Sequence, residues 1–169
     1  SWMQTPTGFA INAAGQFVDP VKPASQEMAR WWLYIMQNSY APFQENLAMF
    51  WHDHFATSQV VLDAQSRRWM IDHVNKLRYY GNGNLRTLLY NMAIDSVMLV
   101  WLDGVLSTKT APNENFAREV MELFALGEGH YTEKDITEAA RALTGWGYDR
   151  AKQRFVERPF QHDAGTKTV

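Results

Sequence analysis

Residues 112–146 read PNENFAREVMELFALGEGHYTEKDITEAARALTGW, and the spacing of their apolar residues decides the fold class. Pro112 and Asn113 introduce a helix over about 114–126, which Gly127 ends as a C-cap. Phe116, Ala117, Val120, Met121, Leu123 and Phe124 fill one side of it. Glu114, Asn115, Arg118, Glu119 and Glu122 fill a contiguous arc on the other, with Glu114–Arg118 and Arg118–Glu122 both at i, i+4. Thr132 starts the next helix, and Asp135 three residues on makes a shortened capping box. Ile136, Ala139, Ala140 and Leu143 then complete an apolar period before Gly145. Two amphipathic helices joined by a short glycine-containing turn set the pattern for the rest of the chain.

Upstream, the same period recurs. Ser25 stands as an N-cap before Met28, Trp31, Trp32 and Ile35, spaced i, i+3, i+4 and i+7. Pro42 opens a second helix with Leu47, Phe50, Trp51, His54 and Phe55 on a single face. A third, over about 64–80, aligns Met70, His73, Val74 and Leu77 and stops at Gly81. Asn84 opens a fourth with Leu85, Leu88, Leu89 and Met92 inward, and Asp95 with Ser96 recaps a short continuation to Leu102. Residues 1–24 carry Pro6, Gly8, Gly15, Pro20 and Pro23 without helical period, an irregular arm. Downstream, 146–169 shows short apolar runs and turn residues that suit a hairpin or extended tail. The expected architecture is an all-α, multi-helix, bundle-like domain, with a core over 25–145 between that arm and tail.

Composition bounds the function. The 169 residues are 46% hydrophobic, with 7 Trp, 7 Tyr and 9 Phe, so the chain buries an aromatic core and is not a disordered segment. No apolar run approaches the ~18 residues of a membrane span. With 16 basic against 18 acidic residues, it lacks the basic face of a nucleic-acid binder. Arg67, Arg68, Lys76, Arg78 and Arg86 make a local basic run, read as a solvated helix face. No cysteine is present, which removes thiolate chemistry and Cys-ligated zinc. The chain opens at Ser1 without an initiator Met and closes on Gly-Thr-Lys-Thr-Val, from which a longer parent chain is expected.

Two of the five histidines lie in Phe50-Trp51-His52-Asp53-His54-Phe55. On a continuous helix, residues two apart point about 200° from each other, so His52 and His54 reach one ion only if the helix ends between them. His54 then belongs to the apolar stripe, and His52 shares a face with Glu45. The arc of Arg118, Glu119 and Glu122 reads either as a solvent-exposed ion-pair ladder or as buried carboxylates able to hold a cation or act as acid and base. His162-Asp163 sits beside Gly165 in the tail, where a loop presents both groups. His130 reads as a turn residue and His73 as helix packing.

The segments FWHDHFATS (50–58), MLVWLDG (98–104), PNENFAREVMELFALG (112–127), YTEKDITEAARALTGW (131–146) and HDAGTKTV (162–169) together resemble a bacterial family of unknown function, DUF1800. The resemblance implies a mostly helical protein longer than this chain, extracytoplasmic, and encoded beside a sulfatase-like partner. It also implies a shared role for the polar motif positions His52, His54, Asn113, Glu114, Asn115, Arg118, Glu119, Glu122, Asp135, His162 and Asp163, with Trp146 as a structural motif residue. Some members carry His at the position of Phe124, so chemistry needing an imidazole there does not transfer.

Two functions follow from this reading. In one, His52 or His54 with Glu119, Glu122, Arg118 and His162-Asp163 forms a polar site for hydrolysis, with a divalent metal held by His52, His54 and Glu119 as one version. In the other, the chain is a non-catalytic binding or scaffold module for an exported protein or polysaccharide, and the motif residues are caps and buried networks.

Overall fold

The computed structural model describes residues 25–58, 69–149 and 154–169. The expected arm over 1–24, the first turn of the third helix, and Arg67 and Arg68 lie outside the described residues. Within them the chain is helical with one C-terminal hairpin, the all-α architecture that the periodicity predicts. The helices are α1 (Ser25–Asn38), α2 (Pro42–His54), α3 (Trp69–Tyr80), α4 (Leu85–Ala93), α5 (Ser96–Trp101), α6 (Glu114–Glu119) and α7 (Glu133–Ala142). The described residues up to Leu88 form one compact unit and those from Leu89 a second. No helix among them is long and apolar enough to cross a membrane.

In the first unit, α1 buries Trp31 and Ile35, two members of its expected stripe. α2 departs from expectation. Its buried positions are Glu45 and Ala48, while Met49 and Phe50 face solvent, Phe50 with 59% of its surface exposed. The cause lies on α3, which buries Met70, His73, Val74 and Leu77 as predicted and Arg78 with them. The Arg78 Nε and Nη2 atoms donate to the Glu45 carboxylate at 2.6–3.0 Å, and both side chains are 1% exposed. Arg78 is therefore not part of a solvated face. Turning Glu45 toward Arg78 brings residues 45, 48 and 52 inward and carries Phe50 outward.

This pair is fully served by hydrogen bonds, the condition for holding two charges out of water. The Arg78 Nη1 donates to Asn75 Oδ1 at 3.2 Å, and the Ser39 hydroxyl donates to Glu45 Oε1 at 3.2 Å. The backbone joins in: Gln44 Nε2 donates to the Arg78 carbonyl, and Trp51 Nε1 to the Gly81 carbonyl, both at 2.7 Å.

The second unit is stitched by caps. The Asp95 carboxylate, 1% exposed, accepts from the Val97 and Met98 amides and starts α5 as the sequence indicates. Asn113 caps α6 by accepting from the Asn115 amide at 2.9 Å, and its own Nδ2 donates to the Leu102 carbonyl. The helix expected over 114–126 changes pitch, running as α-helix to Glu119 and as a π-helical turn over Val120–Ala125. The wider turn rotates the apolar face, so Met121 and Phe124 are buried while Leu123 is exposed. Gly127, at φ 81°, closes the segment through its amide on the Met121 carbonyl, the C-cap expected of it. α7 opens on a complete capping box of Thr132 and Asp135. Ala117 and Met121 pack on Ile136 and Ala140 to make the core between the two helices. Beyond Gly145, β1 (Trp146–Asp149) pairs antiparallel with β2 (Arg154–Glu157), Trp146 opposite Glu157.

The Glu45–Arg78 pair carries a definite stability prediction. Glu45→Ala strands a buried guanidinium and lowers unfolding free energy by about 3–5 kcal/mol, whereas Glu45→Met with Arg78→Leu recovers most of that loss. Urea unfolding of the three proteins checks it, and equal losses in single and double variants would contradict the pairing.

Candidate functional site

The rotation of α2 aims His52, seven residues after Glu45, at α1 and α3. Its ring meets Trp32 edge-on at 5.0 Å and His73 at 5.6 Å between centroids. His73 is fully buried, its Nε2 3.5 Å from the Thr57 hydroxyl oxygen. A cavity of about 250 Å³ opens here, lined by Trp31, Trp32, His52, Thr57, Ser58 and Met70 among others. Two polar atoms of its lining residues, Trp32 Nε1 and His52 Nδ1, are buried without a hydrogen-bond partner. Burial, reinforced by the neighbouring His73 and opposed by Asp53, pushes the His52 imidazole down to about 4. It is neutral at physiological pH.

His54 points elsewhere, against the rings of Trp51 at 5.5 Å and Phe55 at 4.7 Å. The two motif histidines diverge as their two-residue spacing on one helix requires. The imidazole that does approach His52 is His73, which the sequence offered only as a packing residue on α3.

The polar arc of α6 meets α7 and the turn before it. Arg118 holds Glu133 through two bonds of 2.7 and 2.9 Å, in place of the expected ladder with Glu114 and Glu122. The reason is reach: α7 packs beside α6, and a carboxylate facing the fork accepts both bonds at once. Glu122 accepts from the Tyr131 hydroxyl at 2.7 Å, a bond that pushes that phenol up to about 12. Glu114 accepts from Thr137 at 3.1 Å. Glu119 is half-buried on the same helix.

His162 and Asp163 return over the end of α7. The His162 Nδ1 lies 2.8 Å from the Thr144 carbonyl, an acceptor only, so Nδ1 carries a proton and donates it there. The Thr144 hydroxyl donates to the Arg141 carbonyl and accepts from the Asp163 amide. Arg141 bridges Glu138 at 2.7 Å and Asp163 at 2.8 Å. Lys167 donates to the Asp163 carbonyl. Trp146 begins β1 and stacks edge-on with Phe155.

Of the expected site residues, His52 and His54 belong to the first unit, and Arg118, Glu119, Glu122, His162 and Asp163 to the second. Within the second, Arg118 and Glu122 tie α6 to the start of α7, while His162 and Asp163 fasten the tail to its end. Among the described residues no three His, Asp or Glu side chains come together as a metal would require. Asn113, Asp135 and Glu114 serve as caps and helix ties.

The tail contact is acid-sensitive in a defined direction. Arg141, aided by the Gly165 amide, pulls the Asp163 carboxyl down to about 2. An unfolded aspartate titrates near 3.9, so the unfolded chain takes up the proton first. The contribution of ionised Asp163 is full above about pH 4 and is lost as pH falls toward about 2. Asp163→Asn removes that component, so stability measured across this window changes less with pH than in the parent.

Neither a curated protein nor a solved structure matches the chain. The family described as a protein of unknown function, DUF1800, matches residues 4–169, and the chain belongs to that family.

Proposed function

We propose that this protein is a binding module whose first unit takes a small uncharged ligand with one hydroxyl-bearing ring, a neutral sugar unit being the plainest case. The observation that carries the reading is the pair of buried, unpartnered polar atoms, Trp32 Nε1 and His52 Nδ1, on residues lining one cavity. Leaving such groups unmet costs about 1–3 kcal/mol each, a cost that a ligand making those bonds removes.

The chemistry of the lining selects the ligand. A neutral His52 with Thr57 and Ser58 offers both donors and acceptors and no net charge. The indole rings of Trp31 and Trp32 supply apolar surface for the C–H face of a ring. The volume of about 250 Å³ lies below the roughly 300–1,000 Å³ of drug-sized sites, so a single ring fits the space better than an extended chain.

Binding is favoured over hydrolysis because no carboxylate is among the described residues that line the cavity. Glu122 and Asp163, the acid–base candidates with defined partners, already serve Tyr131 and Arg141. A metal-assisted version finds no converging donor set among the described residues.

Titration with neutral hexoses and N-acetylhexosamines, against glucuronate and glucosamine, is followed by the Trp32 indole N–H resonance. Neutral sugars should shift it saturably and the charged analogues at least about tenfold more weakly, since the described lining residues offer neither charge a partner. No saturable shift with any neutral sugar refutes the reading. His52→Phe abolishes the shift and, by removing a buried unmet group, raises stability by about 1–3 kcal/mol. The folded His52 value lies below the usual 6.5. The parent therefore keeps its His52 contribution above about pH 6.5 and loses it as pH falls toward about 4, an acid-sensitive step that the variant lacks.

A further inference from the structure

Four arginines among the described residues are buried or half-buried: Arg78, Arg118, Arg141 and Arg158. Three hold carboxylates, Arg78 on Glu45, Arg118 on Glu133, and Arg141 on Glu138 and Asp163. Arg158 holds none, and the one hydrogen bond of its guanidinium is a long 3.4 Å contact from Nη1 to the Val105 carbonyl. Its backbone is nevertheless fixed and its guanidinium lies against the hairpin. It lies on Gly147, where a Cβ would stand 2.6 Å from the guanidinium carbon, so the glycine lets it lie close against β1. The Arg158 amide donates to the Gly145 carbonyl at 2.8 Å, which anchors the residue where β2 ends.

Arg158 lines a cavity of about 200 Å³ together with Thr144, Trp146, Glu157, Pro159 and His162. The cavity is shaped by close backbone contact. Gly145, at φ 80°, would place a Cβ 2.8 Å from the Arg158 carbonyl oxygen and 2.9 Å from the His162 amide. The turn over Pro159–Gln161 then brings His162 back onto Thr144. Because Nδ1 donates to the Thr144 carbonyl, the opposite ring nitrogen, Nε2, is the one left to meet a ligand's hydroxyl.

We infer that this cavity is a binding site for a small hydroxycarboxylate, the Arg158 guanidinium taking the carboxylate and His162 Nε2 accepting from the hydroxyl. A guanidinium without a carboxylate of its own presents a planar fork matched to one. Glu157, exposed at the same cavity, sets the charge class: it repels a dianion such as phosphate more than a singly charged carboxylate. Trp146 supplies an apolar wall for the carbon chain.

The test is calorimetric titration of the whole chain with lactate, propionate and inorganic phosphate at fixed ionic strength. Lactate is expected to bind saturably and about two- to tenfold more tightly than propionate, the difference of one hydrogen bond. Phosphate is expected to bind more weakly than either. Arg158→Gln should lose at least about tenfold in lactate affinity, and Arg158→Lys should lose nearly as much because a point charge lacks the fork. His162→Phe should bring lactate and propionate to the same affinity. Arg158→Lys keeps the charge and the long stem, so it decides the matter even if Arg158→Gln unfolds. Absence of saturable lactate binding, lactate affinity unchanged in Arg158→Lys, or phosphate bound more tightly than lactate would each overturn the assignment.

Discussion

The first unit depends on two charges held out of water. Glu45 and Arg78 are each 1% exposed, and their attraction is worth its desolvation only in the geometry seen, with the fork on both carboxylate oxygens. That requirement sets the rotation of α2 about its axis. Once Glu45 faces α3, His52 two turns later must face His73, and His54 must face Trp51 and Phe55 instead. The lining of the sugar-sized cavity is thus set by a pair of residues outside it.

The second unit solves a related problem with smaller contacts. Its polar motif residues each close a backbone or bridge two elements: Asn113 and Asp95 as caps, Arg118 and Glu122 between α6 and the start of α7, and Thr144 and Arg141 between α7 and the tail. Apart from the buried Asp95 cap, these exposed or half-buried bonds are individually weak. Their value lies in fixing where segments end, because each leaves fewer ways for the chain to continue. Held by Thr144 and Gly145, the tail has little freedom in where it places His162, and Arg158 inherits its position from the same contact.

Much of the fold was legible because it rests on local rules. The capping box at Thr132, the cap at Asp95, the stop at Gly127 and the tail hairpin each need only neighbours within a few residues. The misread features are those set by partners far along the chain. Arg78 looks solvated in a basic run, and only Glu45, 33 residues away, makes it a core residue. Phe50 fits an apolar stripe by spacing, yet the same pair turns it to solvent. The Arg118 ladder was plausible on one helix, but α7 offered a better-placed carboxylate. The pitch change at Val120 has no single-residue signature in Val-Met-Glu-Leu-Phe-Ala, and with it the exposure of Leu123 was hidden.

The candidate sites were less legible than the fold for the same reason. His52 was singled out by its neighbour His54, although helix geometry separates those two and joins His52 to His73, 21 residues on. His162 was singled out with Asp163, whereas the structure gives Asp163 to Arg141 and leaves His162 beside Arg158. In both places the companion the structure gives the imidazole is not its neighbour in sequence. Short-range pairs tend to be satisfied locally, by caps and neighbouring rings, and a group satisfied locally has little left to offer a ligand. What remains available is the group whose partner the fold withholds: an indole N–H and an imidazole nitrogen in one unit, a guanidinium without a carboxylate in the other.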